Sequence, residues 1–196
     1  MQSAEAAIAR LRDTEARVSS HYVVDEAGVV FRLVPEARRA WHAGVSYWRG
    51  RTGLNDCSIG IEIVNPGHEW GYRAFPAVQI EAVRALCVRI VERHDIPARN
   101  VVGHSDVAPN RKQDPGELFP WQALAAAGIG LWPDGAAAVE GDVAVLLARL
   151  GYDPGLEQSV VLTAFQRHWR PEAVTGVADA ETLQRLATLC AMAAPA

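Results

Sequence analysis

The sequence predicts an α/β domain followed by a small all-α module of three helices. Helix-like and strand-like segments alternate through residues 3–130. Composition then shifts at WPDGAAA (132–138), which reads as a linker, and three amphipathic helical patterns fill residues 139–192. These observations set the expected boundaries: a first domain over 1–131, a linker over 132–138 and a helical module over 139–192. Typical domain sizes of about 100–150 residues fit one medium domain plus a small one.

The elements follow in order. Residues 3–13 read as a helix with Ser3 as N-cap and Ile8 and Leu11 facing inward. VSSHYVV and VVFRLV, joined by DEAG, predict a hairpin across 18–34. Residues 40–57, rich in Gly, Trp and polar side chains, suit a long loop, a feature often tied to function. SIGIEIVN (58–65) reads as a buried strand and PGHEWGYRAF (66–75) as another loop. Residues 77–94 form the clearest helix: Ile80, Val83, Cys87, Ile90 and Val91 keep three/four spacing, and Pro97 lies beyond the end. NVVG (100–103) reads as a short strand. The following segment, 104–120, holds three prolines and is expected to avoid regular helix. WQALAAAGIG is a short helix stopped by glycine. In the module, GDVAVLLARLGY, EQSVVLTAFQRHW and DAETLQRLATLCAM are helical, with RPEAVTGVAD as a turn-rich connector. A module of roughly fifty residues is marginally stable alone, and docking on the first domain would help it.

Composition narrows the function classes. The 196 residues are 49% hydrophobic and 21% charged, with a net charge of −4. Net acidity without a Lys/Arg-dense stripe argues against a nucleic-acid partner. No stretch approaches the roughly 18 apolar residues of a membrane span. Cys57, Cys87 and Cys190 are odd in number and lack a CxxC pair, so reduced thiols are expected. The opening MQSAEAAIARLRDTEAR reads as an amphipathic helix and not as a secretory leader. Taken as written, the chain is expected in the cytoplasm, as a monomer.

The segment GHSDVAPNRKQDPG (103–116) carries the most chemistry. His104 and Asp114 sit on a proline-braced loop, and an imidazole with a carboxylate suits zinc ligation. Lys112 between them can place positive charge near a developing oxyanion. The same residues also read as a capping histidine, a surface lysine and a turn aspartate. Glu62 lies mid-strand between Ile61 and Ile63. Burial would raise its pKa toward that of a general acid or base, whereas strand alternation would simply face it to solvent. In the Trp/Gly loop, Trp41 and His42 stand together. Trp41, Tyr47, Trp48 and Trp70 offer stacking surfaces for a sugar or peptide, or serve as loop anchors. His21 reads as a structural histidine, and His168 carries no assigned role.

Three stretches resemble the zinc-dependent N-acetylmuramoyl-L-alanine amidases of the amidase-2, AmpD-like family: VSSHYVVDEAGVVFRLVPEARRAWHAG, LNDCSIGIEIVNPG and VVGHSDVAPNRKQDPGELFPW. They fall in the family's order and spacing across residues 18–130. GYDPG, the AFQRHW helix, TGVAD and ETLQRL resemble a peptidoglycan-binding module. The resemblance implies a mixed β-sheet flanked by helices. It implies hydrolysis of the amide between the lactyl group of N-acetylmuramic acid and L-alanine, on muropeptides or cell-wall polymer. By the same resemblance His104 and Asp114 are Zn2+ ligands, Glu62 is the catalytic carboxylate, Lys112 stabilises the oxyanion and His42 lies in the substrate groove; Trp41, beside it, is expected to bind substrate as a stacking surface.

One feature departs from the family. Its third ligand is a histidine in a strand of the form HYT before the first helix. This chain begins at that helix, so the strand and histidine are expected to be missing, through truncation or a late start codon. The alternative is that His21 or His42 takes the position. An upstream segment would also reopen a periplasmic or envelope location. Two other readings follow: a non-catalytic peptidoglycan-binding protein, and a cysteine hydrolase using Cys57, which lacks an identifiable partner histidine.

Overall fold

The computed structural model describes residues 3–194, which divide into two compact units: residues 3–46 with 52–87, and residues 47–51 with 88–194. What precedes Ser3 lies outside the described residues.

In the first unit, α1 (Ala4–Arg12) begins where the Ser3 side chain accepts the Ala6 N–H. Strands β1 (Tyr22–Val24) and β2 (Val30–Arg32) pair antiparallel, with Val23 opposite Phe31. The turn between them closes on Asp25, whose Oδ1 accepts N–H groups from Ala27 and Val29. Gly28 has φ +81°, and a Cβ there would stand 2.8 Å from the Val78 carbonyl oxygen, so glycine is required on both counts. Residues 47–51, which belong to the second unit, carry most of a two-stranded ribbon, β3 (Tyr47–Trp48) and β4 (Arg51–Thr52), within the long Trp/Gly loop. Strand β5 (Ile61–Ile63) joins β1 in parallel, giving a mixed sheet of order β2-β1-β5 with Val23 opposite Glu62. Apolar residues of α1 and the sheet form this unit's core: Ala7, Leu11, Val23 and Val64, with Ile8, Phe31 and Leu33 around them. Helix α2 (Ala77–His94) is tied to the sheet by buried Gln79, whose Nε2 donates to the carbonyls of Val24 and Val64.

The second unit is helical. It holds α3 (His104–Val107), α4 (Trp121–Ala125), α5 (Val143–Leu150), α6 (Gln158–Trp169) and α7 (Ala180–Met192). Asp142 and Asp179 cap α5 and α7 by accepting backbone N–H groups of Ala144 and Thr182. Leu146, Leu147, Leu150, Leu162, Phe165, Leu186 and Leu189 are buried. Buried Gln166 staples the connector before α7: Oε1 accepts from Thr175 and Gly176, and Nε2 donates to the Val177 carbonyl. The Trp169 indole donates to the Leu131 carbonyl across the 132–138 segment. Among the described residues no helix is long and apolar enough to cross a membrane.

Two expectations need correction. Residues 101–103 form no strand; a 3₁₀ turn over Ala98–Asn100 leads directly into α3. The segment expected to avoid helix opens with the single turn His104–Val107; Pro109 bars the α conformation at Ala108 and so ends the helix there, but leaves room for one turn upstream.

Candidate active site

Residues 103–116 wrap into a loop whose two ends touch. The Ser105 N–H donates to the Asp114 carbonyl at 2.9 Å, and the Asp114–Pro115 peptide is cis. A Cβ on Gly103 would stand 2.9 Å from Pro115 Cδ and 3.3 Å from Trp121 Cζ2, so only glycine lets the ends approach. The turn brings His104 Nδ1 to 3.0 Å from Asp114 Oδ2. Partial desolvation pushes the Asp114 carboxyl upward, but the hydrogen bond to His104 and the charges of His104 and Lys112 outweigh it and hold the group below its ordinary range.

This pair suits zinc. Two donors on one tetrahedral zinc, at bond lengths of about 2.0–2.2 Å, lie about 3.3 Å apart. The observed 3.0 Å needs only a small opening, and imidazole with carboxylate is the right donor chemistry. Among the described residues no group of three or more His, Cys, Asp or Glu side chains gathers as a metal centre, so the pair supplies two donors of a site that normally has three. Lys112 is half-buried and lines a cleft of about 450 Å³ with Arg111, Gln113, Thr163 and Arg167.

The other expected site residues lie in the first unit. Glu62 sits half-buried at the centre of β5. Asn55 Oδ1 accepts the backbone N–H groups of both His42 and Ala43, at 2.9 and 2.8 Å, which fixes the WHAG turn. The His42 ring then packs on the bare face of Gly60, where a Cβ would come within 2.3 Å of it. Trp41 is 50% exposed, and the Arg39 guanidinium covers its ring at 4.3 Å while pairing with Asp56 at 2.7 Å.

His21 cannot substitute as a ligand. It is buried, its Nδ1 accepts the Gly60 N–H at 3.0 Å, and its Nε2 meets the Arg38 carbonyl at 2.9 Å. That pattern demands the Nε2–H tautomer and leaves no lone pair for a metal. Trp48 is likewise an anchor and not a stacking platform: it is buried against Tyr152 and donates to the Arg99 carbonyl.

Sequence reasoning missed Asp106, Tyr152 and His168. Asp106 is buried and bonded by the other two. A signal existed for His168: Val161, Phe165 and His168 stand at i, i+4 and i+7 on the apolar face of α6.

A mixed sheet with flanking helices, a histidine–carboxylate pair and an adjacent lysine on one braced loop define a hydrolase. The chain belongs to the N-acetylmuramoyl-L-alanine amidase family, whose profile matches residues 1–117. It is 45% identical over 199 residues to the N-acetylmuramoyl-L-alanine amidase AmiD of Escherichia coli K12, an alignment covering 86% of this chain and 72% of that protein. Its fold is similar to that of E. coli AmiD solved in complex with the substrate anhydro-N-acetylmuramic acid-L-Ala-D-γ-Glu-L-Lys, with TM-score 0.87, 42% identity, and coverage of 96% of this chain and 84% of that one. It is also similar to AmpDh3 from Pseudomonas aeruginosa, with TM-score 0.86, 36% identity, and coverage of 97% and 88%.

Proposed function

We propose that this chain hydrolyses the amide between the lactyl group of N-acetylmuramic acid and L-alanine in muropeptides, with zinc held by His104 and Asp114. The observation that carries the zinc assignment is the 3.0 Å approach of His104 Nδ1 and Asp114 Oδ2 on a loop whose ends are hydrogen-bonded. The amide assignment rests on family membership and on the substrate of the AmiD complex.

His104 and Asp114 would hold the ion, which would supply Lewis acidity toward the scissile carbonyl and toward a bound water. By its match to the family's GIE segment, Glu62, half-buried on β5, would be the carboxylate that serves as general base and then general acid. Lys112 places its ammonium against the negative charge that builds on the carbonyl oxygen. His42 and Trp41 contact the muropeptide.

The test is hydrolysis of anhydro-N-acetylmuramic acid-L-Ala-D-γ-Glu-L-Lys, followed by mass spectrometry of the released peptide. We expect release by the wild type, loss with a chelator, and a fall of about 10²–10⁴-fold in Glu62→Gln with the fold intact. Chelator-insensitive release would overturn the zinc reading. A second reading, a muropeptide-binding protein without catalysis, is favoured by one observation: only two donors converge among the described residues. Co-sedimentation with sacculi without peptide release would select it.

A further inference from the structure

Asp106 follows His104 by two residues and is 1% exposed. Its carboxylate accepts three hydrogen bonds. Oδ2 takes the Gly103 N–H at 2.7 Å and the Nδ1–H of His168 at 2.7 Å, and Oδ1 takes the Tyr152 hydroxyl at 2.7 Å. Gly103 belongs to the same loop as Asp106. Tyr152 lies just after α5, and His168 lies in the last turn of α6, 62 residues from Asp106.

The two distant donors are themselves held. The His168 ring is stacked between Trp121 and Trp169, with centroids 3.8 and 3.7 Å away. Its Nε2 is buried and meets no hydrogen-bond partner among the described residues, so Asp106 is the group that sets the ring's orientation. Tyr152 is buried with its ring edge-on to Trp48, 5.2 Å between centroids. Burial first, then the Asp106 charge and the bond to it, push the Tyr152 hydroxyl well above its ordinary value, so it remains a donor.

We infer that His168 and Tyr152 are positioning residues for the His104–Asp114 donor pair and act through the Asp106 carboxylate. The inference rests on reading that pair as metal donors. Asp106 fixes the Gly103 N–H, and its own N–H donates to the Gly103 carbonyl at 3.1 Å. His104 lies between these two anchored residues. The neighbouring Ser105 N–H holds the Asp114 carbonyl. Rotation of this single helical turn would therefore change the His104–Asp114 separation directly. Groups one step removed from a metal ligand commonly set its affinity by orienting it. The 139–192 segment thus contributes to the donor geometry, whatever else it binds.

The test uses the full chain and three variants. His168→Phe keeps an aromatic ring in the tryptophan sandwich and removes the donor. His168→Gln restores an N–H donor toward Asp106. Tyr152→Phe removes the other donor without touching the sandwich, and decides the matter if a change at 168 prevents folding. Two readouts are made: zinc affinity by competition with a chromophoric chelator, and hydrogen exchange at the Ser105 amide, which needs no metal.

His168→Phe and Tyr152→Phe are expected to weaken zinc binding about tenfold and speed Ser105 exchange about tenfold, with α7 amides unchanged. His168→Gln should return both to within about threefold of wild type. Wild-type affinity and exchange in both phenylalanine variants would overturn the inference. So would equal impairment in His168→Phe and His168→Gln beside a normal Tyr152→Phe, which assigns packing alone. A wild-type chain that neither binds zinc nor releases peptide refutes the amidase reading, and Ser105 exchange still decides the positioning role.

Discussion

Replacing His21 by Phe separates a structural histidine from a metal ligand. His21 is 1% exposed and makes two hydrogen bonds, from the Gly60 N–H and to the Arg38 carbonyl. Phenylalanine fills the site but can make neither. Gly60 is buried, so its N–H is left without an acceptor, at a cost of about 1–3 kcal/mol. Arg38 is an exposed residue, so water can replace the lost donor to its carbonyl, and that loss adds about 1 kcal/mol. The total of about 2–4 kcal/mol corresponds to a Tm drop of roughly 4–16 °C for a chain of this size. Circular dichroism melts give the Tm, and elemental analysis gives zinc per chain. The expected outcome is a lower Tm with zinc content unchanged relative to wild type. An unchanged Tm together with lost zinc would refute the reasoning and make His21 the third ligand.

Three further outcomes follow from single contacts. Gly60→Ala would place a Cβ 2.3 Å from His42 Cγ, well inside normal carbon contact, so the ring must retreat; a loss of about 1–3 kcal/mol and a shifted His42 ring resonance are expected, and an unperturbed ring would contradict the packing. The Arg170 hydrogen bond, with the Thr182 N–H, pulls the Asp179 carboxyl down to about 2, so its stabilisation is complete above the ordinary value and is lost as pH falls toward 2. The Tm gap between wild type and Asp179→Asn should hold from pH 7 to pH 5 and close below about pH 4; a gap that persists at low pH would count against the cap. Cys57 is exposed, while burial raises Cys87 to about 11 and also pushes Cys190 upward. A thiol reagent at pH 8 should therefore label one cysteine fast and two slowly, and loss of activity on labelling that first thiol would revive a cysteine-based reaction.

Local pattern sufficed wherever a segment's partners lie close by. The helices over 77–94 and 139–192 follow from three/four spacing, and the 18–34 hairpin follows from β-branched runs around an Asp/Gly turn. NVVG misled because β-branched propensity needs a partner strand, and among the described residues none pairs there; instead Gly130 lies alongside, where a Cβ would stand 3.6 Å from the Val101 carbonyl oxygen. Glu62 was ambiguous because a three-residue strand gives too little alternation to fix a face, and the structure leaves all of Ile61, Glu62 and Ile63 half-buried. His168 was passed over because its partner is 62 residues away, beyond any local window.

The histidines show why residue type alone could not define the site. His21 and His104 both stand near strand-like segments, and both belong to stretches that match the family. At His21 the backbone uses both ring nitrogens, so the side chain serves as a staple between Gly60 and Arg38. At His104, Nδ1 meets a carboxylate ten residues along the same loop, and the loop ends are closed by backbone hydrogen bonding and a glycine that admits Pro115. An imidazole is available to a metal only if the surrounding main chain has not already claimed its lone pair. That condition depends on which carbonyls and amides the fold brings to the ring. His21 does not meet it, and Asp106, which holds the turn carrying His104, is as much a determinant of the donor pair as the proline-braced sequence around it.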